Sequence, residues 1–210
     1  MDEPFELKKY KLNEIFYSLQ GEGVYAGTAM LFVRFAGCNL DCSFCDTDHS
    51  VRMELTKKEL VELIRKHCMD EFSTPVCFTG GEPSLQVGEG LLTSLRRSVG
   101  YAINFHIETN GVRKLDDADR YFCITVSPKL PVSECQQQSG TELKIVYDSS
   151  RKHLLHAIMK GWADRPFQHK FLQPVTYPDG ETNVKEVVAY IKENPEWRLS
   201  LQTQRIINIK

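Results

Sequence analysis

A chain of 210 residues is long enough to bury a substantial core and short enough to read as one domain spanning 1–210. Apolar residues make up 41% and charged residues 26%, the balance of an ordinary globular protein, and nowhere do about 18 apolar residues run together as a membrane span. A formal charge of −2 leaves no basic excess for a nucleic-acid surface and the amino terminus has no apolar leader, so the expectation is a cytoplasmic protein with neither membrane nor nucleic acid as partner.

The first clear element is "LFVRFA" (31–36), a β-branched and aromatic run that predicts a strand. "LTKKELVELIRKHC" (55–68) predicts a helix. Thr56 is its N-cap, Glu59 three residues on completes a capping box, and Leu60, Leu63 and Ile64 form the buried stripe. "PVCFT" (75–79) predicts a strand, "GLLTSLRRSV" (90–99) a helix, and "AINFHIE" (102–108) and "YFCITVS" (121–127) two more strands. "ELKIVY" (142–147) is a strand and "SRKHLLHAIMKG" (150–161) the helix after it. "HKFLQP" (169–174), "NVKEVVAYIKEN" (183–194) and "WRLSLQT" (197–203) give strand, helix and a last strand. The connections 109–120 and 128–141 are too short or irregular for full helices. Alternating strands and helices mean a parallel sheet with helices outside. A complete barrel takes about 250 residues, so the expected fold class is α/β, an incomplete, compressed parallel (β/α) barrel of about six strands with a cysteine loop after its first strand.

The unusual residues fall just past strand ends. "FAGCNLDCSFCDTD" (35–48) follows the first strand, "TGGEP" (79–83) the second, "ETNG" (108–111) the third and "SPK" (127–129) the fourth, while "QP" (173–174) closes the sixth. In a parallel barrel these ends form one mouth, where ligands bind. Seven cysteines is a high, odd count, and in a reducing compartment clustered cysteines bind metal or do redox work. Cys77 and Cys123 sit in apolar runs and read as small buried hydrophobes, while Cys68 and Cys135 acquire no role. Cys38, Cys42 and Cys45 form a C-x3-C-x2-C pattern. Three thiolates suit a [4Fe–4S] cluster with one iron left open. The rival is zinc, which needs a fourth ligand, and His49 is the only nearby candidate.

"CNLDCSFC" together with "TGGEP" resembles the two hallmarks of the radical S-adenosylmethionine enzymes. The resemblance implies Cys38, Cys42 and Cys45 as cluster ligands and S-adenosylmethionine on the open iron. It implies that Gly80, Gly81 and Glu82 present backbone groups to the methionyl ammonium and that Phe44, Cys45 and Asp46 face the adenine. Ser127, Pro128 and Lys129 would meet the ribose or carboxylate, and Gln173 and Pro174 would close the adenine and ribose side.

"SLQGEG", "FVRFAGCN", "CDT", "ETNG", "SPK" and "LQP", spread over nearly the whole chain, are similar to the branch of that family that makes deazapurine precursors of queuosine. The resemblance implies a radical ring contraction of 6-carboxy-5,6,7,8-tetrahydropterin to 7-carboxy-7-deazaguanine with loss of ammonia. Leu19, Gln20 and Gly21 would read the amide edge of the pterin and Arg34 its carboxylate. Thr79 and Glu108 would meet its other polar atoms, and the terminal carboxylate of Lys210 would return to the site. Thr47 would bind Mg2+, an ion that keeps several waters and takes few protein ligands. The implied partners are an external one-electron donor such as flavodoxin or ferredoxin and a second copy in a homodimer. Two other readings compete. A glycyl-radical activase shares the cluster motif, but "SLQGEG" and "CDT" speak against it. A non-catalytic metal- or cluster-binding regulatory module leaves the glycine, Ser-Pro-Lys and Gln-Pro loops unexplained.

Overall fold

The computed structural model describes residues 8–68, 74–100, 102–177 and 180–210. The strand-forming runs become β1 (Lys9–Leu19), β2 (Ala29–Phe35), β3 (Met53–Thr56), β4 (Val76–Gly80), β5 (Phe105–Thr109), β6 (Cys123–Val126), β7 (Gly140–Tyr147), β8 (Phe167–Pro174) and β9 (Arg198–Leu199). The helices are α1 (Lys57–His67), α2 (Glu89–Val99), α3 (Lys152–Trp162), α4 (Val184–Glu193) and a single turn, α5 (Thr203–Ile206). The expected capping box at Thr56 is made on both sides, and Leu60 and Ile64 below it are fully buried. The segments 109–120 and 128–141 hold only 3-10 turns.

All nine strands join one open sheet in the order β3-β1-β2-β4-β5-β6-β7-β8-β9. Pairing from β2 through β9 is parallel, which gives the incomplete barrel. β1 and β3 add an antiparallel edge that the strand signals did not reveal. The last strand shrinks from the expected 197–203 to two residues, because the chain turns away as α5.

Strand alternation sorts the side chains onto two faces. Leu31, Val33, Phe35, Phe78, Phe105, Ile107, Leu143 and Ile145 point outward and pack on Leu92 and Leu95 of α2, Ile158 of α3 and Val187 of α4 in the main core. Each such burial stabilises the fold by about 1.5–3 kcal/mol. The concave face is different. A small apolar floor of Met30, Phe32 and Cys77 gives way, toward the strand ends, to Arg34, Thr79, Glu108, Thr125, Glu142, Lys144 and Gln173. Among the described residues no helix is long and apolar enough to cross a membrane.

Candidate active site

The site forms where the parallel strands end. Beyond β2 the chain reverses at Gly37, whose φ of +83° lies in the left-handed region. The loop after β4 lies directly against it: Gly81 N–H donates to the Phe35 carbonyl (3.1 Å) and Glu82 N–H to the Gly37 carbonyl (2.9 Å). A Cβ on Gly81 would stand 2.0 Å from the Gly37 oxygen, so the glycine is required by backbone contact between the two loops. The fully buried Glu82 carboxylate accepts from Thr109 Oγ1 (2.7 Å), Asn110 N–H (2.7 Å) and Ser84 N–H (3.0 Å). Asn110 in turn donates its amide to Asn39 Oδ1 (2.8 Å). The cysteine, glycine and "ETNG" loops are therefore one hydrogen-bonded unit. Glu82 ties this unit together from behind, while Gly80 and Gly81 face the cavity.

Cys38, Cys42 and Cys45 open into a single cavity with Phe44, Ser127, Lys129, Gln173 and Pro174. All seven cysteines are free thiols, and Cys68, Cys77, Cys123 and Cys135 are buried, as expected for Cys77 and Cys123. Among the described residues no three His, Cys, Asp or Glu side chains converge on a single-ion site. His49 meets the loop through its backbone carbonyl, which accepts from Gly37 N–H (2.8 Å). Three soft thiols spread around a glycine-lined space, with no fourth ligand among the described residues closing them, fit a [4Fe–4S] cluster better than zinc. The buried Gln173 Oε1 has no hydrogen-bond partner, an orphaned acceptor at the cavity wall that suits a donor on a bound molecule. Lys129 donates to the Ser127 carbonyl (2.7 Å) and hydroxyl (2.6 Å). Burial, with the Lys144 charge adding to it, pulls Lys129 down to about 8. Pro128 sits off this cavity, in a recess behind Phe44, whose ring carries the Arg151 guanidinium at 4.9 Å.

A second cavity of about 480 Å³ adjoins the first and lies within the range of small-molecule sites. Leu19, Gln20, Gly21, Arg34 and Lys210 line it. Glu22, Asp46, Thr47, Thr79, Glu108 and Gln202 border both cavities and form the wall between them. Glu108 accepts from Gln20 Nε2 (3.0 Å) and Thr79 Oγ1 (3.1 Å). Burial works to raise its pKa, but Lys144 and these hydrogen bonds win and hold the carboxyl below the ordinary glutamate range. Arg34 donates to Glu14 Oε1 (3.0 Å), and Lys210 Nζ donates to the other Glu14 oxygen, so two cations share one carboxylate. The Lys210 carbonyl oxygen accepts from the Ser18 hydroxyl, which brings the end of the chain to the chamber wall. Thr47 hydroxyl donates to Asp46 Oδ1 (3.3 Å).

In the turn after β1, Gln20 N–H donates to the Thr28 carbonyl, its own carbonyl accepts from Gly27 N–H, and its side-chain amide orients Glu108, so Gln20 lines the chamber between Leu19 and Gly21.

Several site residues escaped the motifs. Lys144 is 6% exposed and forms an ion pair with Glu22. Burial opposes its charge, yet Glu22 and Glu108 push its pKa above the ordinary lysine value. Glu22 Oε1 also accepts from Gln202 (3.2 Å) and Gln204 (3.3 Å). Arg205 Nη2 lies 2.6 Å from Asp46 Oδ2. The available signal for Glu22 was its place within "SLQGEG"; for Lys144 it was a charge at an inward position of an apolar strand.

The family profile described as the Radical SAM superfamily matches residues 32–129. The 7-carboxy-7-deazaguanine synthase of Bacteroides thetaiotaomicron is 38% identical over 200 residues, covering 95% of this chain and 98% of that protein. The enzyme of the same name from Bordetella pertussis is 34% identical, covering 95% and 99%. Among solved structures, QueE from Escherichia coli superposes with a TM-score of 0.71 at 24% identity, over 93% of this chain and 94% of that one.

Proposed function

This chain belongs to the 7-carboxy-7-deazaguanine synthase family of radical SAM enzymes, and from that premise we propose how its two chambers divide the work of contracting 6-carboxy-5,6,7,8-tetrahydropterin to 7-carboxy-7-deazaguanine. Bound in the first chamber, the [4Fe–4S] cluster and S-adenosylmethionine supply a 5′-deoxyadenosyl radical. Cys38, Cys42 and Cys45 hold the cluster. The backbone of Gly80 and Gly81 borders the methionyl end, Phe44 and Pro174 flank the adenosine, and the orphaned Gln173 Oε1 accepts from it. Lys129 and Ser127 face the cosubstrate's carboxylate or ribose.

The pterin occupies the second chamber. Its carboxylate meets the Arg34 guanidinium, and the terminal carboxylate of Lys210 lies at the same wall. Its polar ring edge meets Glu108 and Thr79 on the shared wall, with Leu19 and Gly21 alongside. Held there, the substrate gives up a hydrogen atom from C6 toward the first chamber, rearranges with loss of ammonia and takes a hydrogen atom back, so that the net change is the loss of ammonia. Thr47, beside Asp46 and facing both chambers, would offer one hydroxyl to a Mg2+ ion, whose charge would help to hold the substrate carboxylate. Electrons come from an external one-electron carrier, flavodoxin or ferredoxin. The enzyme works as a homodimer in the cytoplasm, where thiols stay reduced.

The observation that supports this division is the shared wall: Glu108, Thr79 and Asp46 border a thiol-lined cavity on one side and an Arg34-lined cavity on the other. The test is an anaerobic assay with reconstituted cluster, S-adenosylmethionine, reductant, Mg2+ and the carboxytetrahydropterin, read by mass spectrometry. Formation of 7-carboxy-7-deazaguanine by the wild type, and none by Cys38→Ala, is expected. Release of 5′-deoxyadenosine without that product would overturn the substrate. Neither product from a cluster-loaded protein would favour the regulatory module.

A further inference from the structure

The carboxy-terminal segment meets the cysteine loop in a way that the reaction above does not require. Its base is pinned to the turn after β1: Gly23 N–H donates to Ser200 Oγ (3.1 Å), and Thr203 N–H donates to the Gly21 carbonyl (3.1 Å). From there Gln202, Gln204, Arg205 and Lys210 line the second chamber. Two of them converge on one oxygen of Asp46, Arg205 Nη2 at 2.6 Å and Gln202 Nε2 at 3.0 Å. Gln202 also donates to Glu22 Oε1 (3.2 Å) and accepts from Thr176 Oγ1 (3.2 Å). The far end is held by Lys210 on Glu14 and Ser18.

The Arg205 and Asp46 side chains are 43% and 40% exposed, and an ion pair this open adds only about 0–1 kcal/mol to stability. Its consequence is positional. Asp46 stands between Cys45 and Thr47, and its second oxygen already takes the Thr47 hydroxyl. Fixing that carboxylate fixes the end of the cysteine loop. We propose that the carboxy-terminal segment is a latch on the cysteine loop, with Arg205 and Gln202 as positioning residues acting through Asp46. Closure of the substrate chamber and the placement of Cys45 and Thr47 are then set by one contact. The inference takes its substrate from the ring-contraction reading, while the latch itself is a property of the fold.

The test compares wild type, Arg205→Gln and Arg205→Lys, each with reconstituted cluster. The readouts are KM and kcat for the carboxytetrahydropterin, 5′-deoxyadenosine released per product, and the electron paramagnetic resonance spectrum of the reduced cluster with S-adenosylmethionine. Arg205→Gln should raise KM about three- to fivefold with kcat within about twofold, the scale of a half-exposed ion pair. It should also release more 5′-deoxyadenosine per product and alter the spectrum, and Arg205→Lys should restore all three. A glutamine variant that matches wild type throughout overturns the latch. So does equal loss of iron and early melting in both variants, which would make the pair merely structural. If the wild type makes no product, the ring-contraction reading fails, and the spectra alone decide the latch: an altered spectrum restored by lysine supports it, an unchanged one overturns it.

Discussion

Lys144 is the residue whose removal tests the polar interior most directly. It lies 6% exposed among Glu22, Glu108 and Glu142 and is the charge that holds Glu108 ionised. Lys144→Met keeps the volume and removes the charge, leaving three carboxylates without their shared partner. Breaking a buried pair from one side costs about 3–5 kcal/mol. For a chain of this length each kcal/mol moves the melting temperature by about 2–4 °C, so a fall of about 6–20 °C is expected at pH 8. The pH dependence has a definite sign. In the wild type the depressed Glu108 pKa contributes stability that is present above its ordinary value of 4.5 and lost as pH falls through the folded value. In the variant, burial, which already raises Glu142, is no longer opposed by Lys144 at Glu108, so the cost of these two carboxylates is greatest when ionised and disappears as they protonate. The deficit should therefore shrink between pH 8 and pH 5. Glu22→Gln in the same chain should recover part of it at pH 8. Melting curves by circular dichroism on the cluster-free proteins read all of this. A deficit under about 1 kcal/mol, or one that stays constant with pH, would refute the buried-charge argument.

Gly81→Ala should drive the glycine loop off the cysteine loop, because its Cβ would meet the Gly37 oxygen at 2.0 Å; iron bound per chain after reconstitution should fall well below wild type. Thr56→Ala removes the side-chain half of the capping box and should lower stability by about 1 kcal/mol while iron content and turnover stay unchanged, as checked by denaturant unfolding. Arg34→Met should raise KM for the pterin by tenfold or more, about the 1.5–3 kcal/mol of a hydrogen bond to a charged group, with binding of S-adenosylmethionine unaltered in a titration of the cluster spectrum.

The mouth was legible because its motifs sit immediately after runs whose strand character is strong, and chain order alone then brings them to one end of a parallel sheet. The edge was not legible. In β1 the alternation breaks at the irregularity between Leu12 and Glu14, where Asn13 turns inward and donates to the Ser50 carbonyl (3.0 Å). That interruption hides an eleven-residue strand from a period-two reading. β3 is only four residues long and runs straight into the N-cap of α1, so it reads as part of the helix signal. The contacts of the carboxy-terminal segment reach back 159 to 196 residues, to Asp46, Glu22 and Glu14, and nothing local announces them; only the resemblance pointed the end of the chain back to the site. Glu142 and Lys144 carry a readable signal: charges at alternate positions of an otherwise apolar strand must face something other than the helices.

That asymmetry between faces explains why the barrel stays open. A closed barrel of this kind fills its interior with packed apolar layers. Here the upper interior is polar, so the strands gain little by closing on one another, and the outward face packed on the helices carries the hydrophobic stabilisation. Among the described residues two acceptors inside are buried without a partner, Gln173 Oε1 in the wall of the thiol-lined cavity and Gln204 Oε1 against Gly21. An acceptor left without a donor costs about 1–3 kcal/mol, so Gln173 favours a bound molecule that brings a donor to it.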